Sequence, residues 1–159
     1  MKKSSFIAVS LEKERQLVKR AKTARRRAIS WRGFRVGCAL ITEDARGRRR
    51  IFAGFNVKAR QEDSTLCAER MALTRAENAG FDRVIAVAVS GRPQYEEGDL
   101  NPTLHCCPRC RAMFAARREA AEIRFTFAYH GAVERFLLPE LLLFHGDVTA
   151  VIGSTAATE

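Results

Sequence analysis

Three cysteines and one glutamate are the residues whose spacing suggests chemistry: Cys67 and Glu69 in Cys67-Ala68-Glu69, and Cys107 and Cys110 in Cys107-Pro108-Arg109-Cys110. Each segment falls at the expected start of a helix, where the positive end of the helix dipole lowers a thiol pKa and favours the thiolate. Three such thiolates can meet on one zinc ion. A structural zinc closes with four protein ligands, whereas a catalytic zinc keeps three and leaves the fourth place to water. No fourth ligand is obvious, so one catalytic Zn2+ per chain is expected. Glu69 stands two residues beyond a ligand and on a different helical heading, placed to move protons rather than to bind metal. Zinc brings the pKa of bound water towards about 7; three thiolates blunt that effect, and Arg70 can offset it by donating hydrogen bonds to the sulfurs.

Other readings of the same residues stay open. A Cys-x-x-Cys pair also suits a zinc staple or a redox pair, although the added Cys-Ala-Glu argues against both. His105 is either a fourth ligand or a loop residue. His130 and His145, at or beside turns, have no expected role. Cys38, inside an apolar strand, is expected in the core. Cys106 either neighbours the metal or exchanges with Cys107 as ligand. The five cysteines are an odd number with three crowded together, a pattern that suits a metal in a reducing compartment better than disulfides.

These segments need elements to hold them. Apolar residues recur at three- and four-residue steps between Ser10 and Ala28, a first helix capped by Ser10. Phe34 to Thr42 and Arg50 to Val57 read as a hairpin about the turn Glu43 to Gly47. Leu66 to Ala79 is helical, capped by Ser64 or Thr65 and stopped by Gly80, and Val84 to Val89 is a short buried strand. Gly91 to Thr103 is a polar loop. Pro108 opens a helix to about Arg118. Ile123 to Ala128 and Val133 to Phe136 are strands, and Leu137 to Phe144 is a short terminal helix whose apolar segment is either core or a subunit contact. This order predicts an α/β layered domain.

With 159 residues, 47% of them hydrophobic, the chain is expected to form one domain over 1–159, with a core of about 9–146 and loose termini at 1–8 and 149–159. The N-terminus is too poor in apolar residues for a signal peptide, and no run approaches the roughly 20 residues that span a bilayer. A cytoplasmic location is expected. The net charge of +10 raises nucleic acid as a partner, but the arginine clusters lack interleaved aromatics that would stack bases. A solvated basic surface is the simpler expectation.

His or Cys, one spacer, Glu, then Pro-Cys-x-x-Cys is the signature of zinc deaminases, with the Glu as general acid and base. This chain has the Cys form, with Cys106 in place of the Pro. From about Trp31 to His145 it resembles the small cytidine deaminases that act on free nucleosides, including the blasticidin-S type. The resemblance rests on Phe34-Arg35-Val36-Gly37-Cys38-Ala39-Leu40, Gly54-Phe55-Asn56-Val57, Cys67-Ala68-Glu69-Arg70 and Cys107-Pro108-Arg109-Cys110-Arg111, with 11 residues from Asn56 to Cys67.

The resemblance implies a three-layer α/β/α fold with a mixed five-stranded sheet, and a homo-oligomer, tetramer or dimer. It also implies pyrimidine salvage, with Phe34 against the pyrimidine, Asn56 on a ribose hydroxyl, and the Ala68 backbone with Glu69 reading the base edge. One departure falls on the sugar side. Lys58 occupies the family's ribose-binding Glu position, with Arg32 and Arg60 near it in sequence and Trp31 where Tyr is usual. An ammonium donates hydrogen bonds and prefers anions, whereas a carboxylate accepts from hydroxyls.

Four functions follow. Zinc-dependent hydrolytic deamination of cytidine or deoxycytidine comes first, and deamination of a modified cytosine nucleoside such as blasticidin S, or another aminated heterocycle, second. A nucleic-acid-binding or editing deaminase is disfavoured by Cys67, since many polynucleotide deaminases use His. A non-catalytic zinc-stabilised module would leave Glu69 without a task.

Overall fold

The computed structural model describes residues 9–30, 33–58, 66–92 and 103–147. Helix α1 spans Leu11–Arg25, with the Ser10 hydroxyl accepting from the Lys13 amide at 3.2 Å, and it buries Leu17, Ala21 and Ala24. Strands β1 (Val36–Glu43) and β2 (Arg49–Phe55) form the expected hairpin, and α2 follows over Ala68–Asn78. Strand β3 is Arg83–Gly91, α3 is Pro108–Ala115, β4 is Arg124–Tyr129, β5 is Ala132–Leu137 and α4 is Leu138–Phe144. Helix α3 stops three residues short of Arg118 because a 3-10 turn at Ala120–Glu122 redirects the chain into β4. There Glu119 accepts from the Val84 amide at 2.9 Å. The expected caps Ser64 and Thr65, most of the polar loop, Trp31, Arg32, Arg60 and both expected loose termini lie outside the described residues.

The strands form one mixed sheet in the order β2-β1-β3-β4-β5, with β3 and β4 parallel and the other neighbours antiparallel. Alternation along the strands sends Ala39, Ile41, Ala86 and Ala88 to the α1 face, where Ile85 joins them at the register shift between β1 and β3. Val36, Cys38, Leu40, Val87, Val89, Phe125 and Phe127 face α2, α3 and α4. The result is the three-layer α/β/α arrangement. Two glycines let helices approach the sheet closely. A Cβ on Gly37 would stand 2.0 Å from the Ala21 carbonyl oxygen of α1, and one on Gly54 would stand 2.5 Å from that of Ala68 in α2. In α4, Leu138, Leu141 and Leu142 are core, while Leu143 and Phe144 are exposed. Among the described residues no helix is long and apolar enough to cross a membrane.

Candidate active site

The start of α2, the start of α3, the entry to β1 and the exit from β2 meet at one end of the sheet. Cys67 is the N-cap residue of α2 and Cys107 that of α3, with Pro108 opening the helix and Cys110 in its first turn. The sulfurs of Cys67, Cys107 and Cys110 all lie within 4.8 Å of one another, and those of Cys67 and Cys107 are 3.7 Å apart. Two sulfurs bound tetrahedrally at about 2.3 Å from zinc would stand about 3.8 Å apart. The Cys67–Cys107 pair matches that spacing, and the Cys110 sulfur lies close enough to complete a three-sulfur zinc site.

Their electrostatics point the same way. The Cys107 thiol is held far below its ordinary pKa by donation from the Cys110 and Cys67 thiols, helped by the backbone N–H groups of Cys110 and Arg109. Cys67 and Cys110 are pushed up, chiefly because their protons serve Cys107. One anion is thus stabilised by two thiols, and a bound cation is what lets all three ionise.

Glu69 is 5% exposed, and burial raises its carboxyl pKa; the negative charge of Cys107 adds to this, while hydrogen bonding from the Cys106 thiol opposes it. A carboxyl poised upward in this way is suited to exchanging protons near neutral pH. Cys106 is buried at 1% exposure and is outside the sulfur cluster. Its thiol contacts Glu69 instead of exchanging with Cys107. His105 is likewise outside the cluster. Cys38 is fully buried core, as expected.

Phe34, Asn56, Lys58 and Ala68 line the same cavity as Cys67, Cys107, Glu69 and Arg70, a space of about 440 Å³. The Asn56 amide is largely committed: Oδ1 accepts from the Val36 amide at 2.7 Å and Nδ2 donates to the Phe34 carbonyl at 2.9 Å. It pins the β1 entry to the β2 exit, keeping one N–H and one lone pair for a ligand. The Lys58 ammonium stands 5.4 Å from the centroid of the Phe34 ring. Arg70 is exposed on the cavity wall.

Sequence reasoning missed two supports. Arg111, 8% exposed, donates through Nη1 to the Cys106 carbonyl at 2.7 Å and pairs with Asp147 at 2.6 Å, fixing the backbone that presents Cys107. His105 Nδ1 lies 2.9 Å from His145 Nε2, with the His105 ring 4.7 Å from that of Phe127 and 5.0 Å from that of Phe136. The only signal for this pair was that His105 adjoins the metal segment.

A sulfur triad at two helix starts with a buried carboxyl beside it, on an α/β/α sheet, defines a zinc deaminase. A family model described as the cytidine and deoxycytidylate deaminase zinc-binding region matches residues 11–125, and the chain belongs to that family, whose members are hydrolytic deaminases. It is 29% identical over 127 residues to a cytidine deaminase of Halalkalibacterium halodurans, covering 79% of this chain and 88% of the relative. The crystal structure of cytidine deaminase from Burkholderia pseudomallei superimposes with a TM-score of 0.60 at 28% identity, over 80% of this chain and 94% of that one. The enzyme from Mycobacterium leprae, at 20% identity and a TM-score of 0.53 over 81% of this chain and 96% of that one, shares the fold.

Proposed function

We propose that this chain hydrolyses the exocyclic amine of a cytosine nucleoside, releasing ammonia, with Cys67, Cys107 and Cys110 holding one zinc. The observation that carries the reading is the sulfur triad together with buried Glu69, at a cavity lined by Cys67, Glu69 and Cys107. Zinc, when bound there, supplies a polarised water as the nucleophile. Glu69 would carry both protons of that water in turn: the first to the pyrimidine ring nitrogen as the oxygen adds to the ring carbon, the second from the added oxygen to the amine, whose C–N bond then breaks to release ammonia. Burial of Glu69 keeps bulk water from competing for those transfers. Phe34 offers a ring face to the base, and Asn56 holds the two strands that form this wall. Nucleosides carried by the relatives' names, cytidine above all, are the first candidates.

A second reading is favoured by Lys58. Its ammonium occupies one side of the Phe34 ring and brings positive charge to the sugar side, which suits a modified cytosine nucleoside with an acceptor or acidic substituent. Ammonia release from cytidine, deoxycytidine and blasticidin S by the zinc-loaded protein decides between them. Efficient turnover of cytidine alone supports the first reading, turnover of blasticidin S alone the second, and no release from any of them sinks both.

A further inference from the structure

A second cleft, of about 570 Å³, opens between the last turn of α1 and the turn joining β4 to β5, and shares no lining residue with the cavity above. It lies beyond the carboxyl ends of the parallel pair β3 and β4, the place where open α/β sheets accept ligands. Lys22 and Arg25 from α1, Arg92 after β3 and His130 in the β4–β5 turn line it, and among the described residues no carboxylate does.

Several arginines elsewhere in the molecule have carboxylate partners. Arg48 pairs with Asp44, Arg83 with Glu43, Arg111 with Asp147, Arg117 with Glu119 and Arg135 with Glu14. Among the described residues no carboxylate forms an ion pair with Lys22, Arg25, Arg35 or Arg92. Arg25 is nevertheless held in place, since α1 presses on Gly37 and the Arg25 Nε donates to the Arg35 carbonyl at 3.1 Å. Burial disfavours its charge, and repulsion from Arg92 and Arg35 adds to the cost. The carbonyl end of the α1 dipole accounts for cations in its last turn, Lys22 and Arg25. It does not account for Arg92 and His130, which come from other elements.

We propose that this cleft binds the phosphate group of a small molecule, with Arg25 and Arg92 as the principal ligands and Lys22 and His130 at its margin. Guanidinium forks match phosphate oxygens in two-point contacts, an anion removes the repulsion between the arginines, and the volume falls in the range of about 300–1,000 Å³ typical of small-ligand sites. The site is separate from the deamination cavity, and the proposal stands or falls without regard to the substrate there.

Calorimetric titration of inorganic pyrophosphate into the zinc-loaded protein at low ionic strength tests it. Saturable binding is expected, weakened at least about tenfold by Arg92→Gln or Arg25→Gln, as loss of a charge-assisted contact implies. Arg46→Gln, in the turn at the opposite end of the sheet, should change it by less than about twofold. Melting curves that match the wild type keep a loss in Arg92→Gln from being mistaken for unfolding. Absence of saturable binding overturns the proposal, as does an equal loss in Arg46→Gln. A single-stranded RNA oligonucleotide that binds where pyrophosphate does not overturns the small-ligand assignment.

Discussion

The sulfurs of Cys67 and Cys107, 40 positions apart in the chain, stand 3.7 Å from one another, each residue capping the start of a different helix. Cys107→Ala removes the sulfur that the other two thiols serve. Zinc measured by atomic emission is expected to fall from about one per chain to near none, because three-ligand binding cannot be maintained by two thiols in a cavity open to water. Retention of stoichiometric zinc by Cys107→Ala would refute the assignment.

Glu69 touches no metal ligand role, so Glu69→Gln separates binding from chemistry. The variant keeps the shape and the hydrogen bond with Cys106, and zinc content should match the wild type. Deamination should fall by roughly 10²- to 10⁴-fold in kcat, the range for losing a positioned acid and base. A kcat within threefold of wild type would assign the proton transfers to another group.

The clustering of Cys67, Cys107 and Cys110 was legible in the sequence because cysteine spacing and helix starts are local properties. The fold was legible for a related reason: the continuous apolar run of β3, the turn between the β-branched and aromatic stretches of β1 and β2, and the three-to-four periodicity of α1 are local signals. Cys106 was not legible. Whether its thiol meets the metal or Glu69 depends on the turn imposed by Arg111 gripping the Cys106 carbonyl, and Arg111 is anchored by Asp147, 36 residues away. The double duty of Asn56 was hidden similarly, since its backbone partners on Phe34 and Val36 are brought to it by the β1–β2 pairing.

Lys58→Glu exchanges a donor for an acceptor on the sugar side and removes the cation from the Phe34 ring. If ribose hydroxyls are to be held there, kcat/KM for cytidine should rise about tenfold, equivalent to one hydrogen bond of about 1.4 kcal/mol. Steady-state ammonia release reads it, with zinc content as the control. A fall for cytidine in Lys58→Glu would mean that the ammonium itself contacts the preferred substrate.

His145 predicts an acid-sensitive stability. Burial and the positive charges of Arg111 and His105 lower its pKa in the folded protein, Asp147 opposing them. A depressed value means that the unfolded chain binds the proton more readily, so stability is full above the unfolded value of about 6.5 and is lost as pH falls below it. Urea midpoints should therefore decline between pH 7 and pH 5.5, and His145→Gln should flatten that decline. Parallel curves for the two proteins would rule out His145 as a source.

Gly54 and Gly37 offer a paired test of what positions the metal. A methyl group at Gly54 would meet the Ala68 carbonyl oxygen at 2.5 Å and the Ala72 amide at 2.6 Å, both in the helix that begins at Cys67. At Gly37 it would meet the Ala21 carbonyl oxygen at 2.0 Å, in the helix on the opposite face. Each alanine variant must push backbone aside and should lose roughly 1–3 kcal/mol or more, a fall of several degrees in melting temperature at roughly 2–4 °C per kcal/mol. Only Gly54→Ala displaces a ligand-bearing helix start. Zinc affinity, measured by competition with a chromogenic chelator, should weaken in Gly54→Ala and hold in Gly37→Ala. Equal weakening in both would mean that global stability, rather than the seat of α2 on β2, sets the affinity of the site.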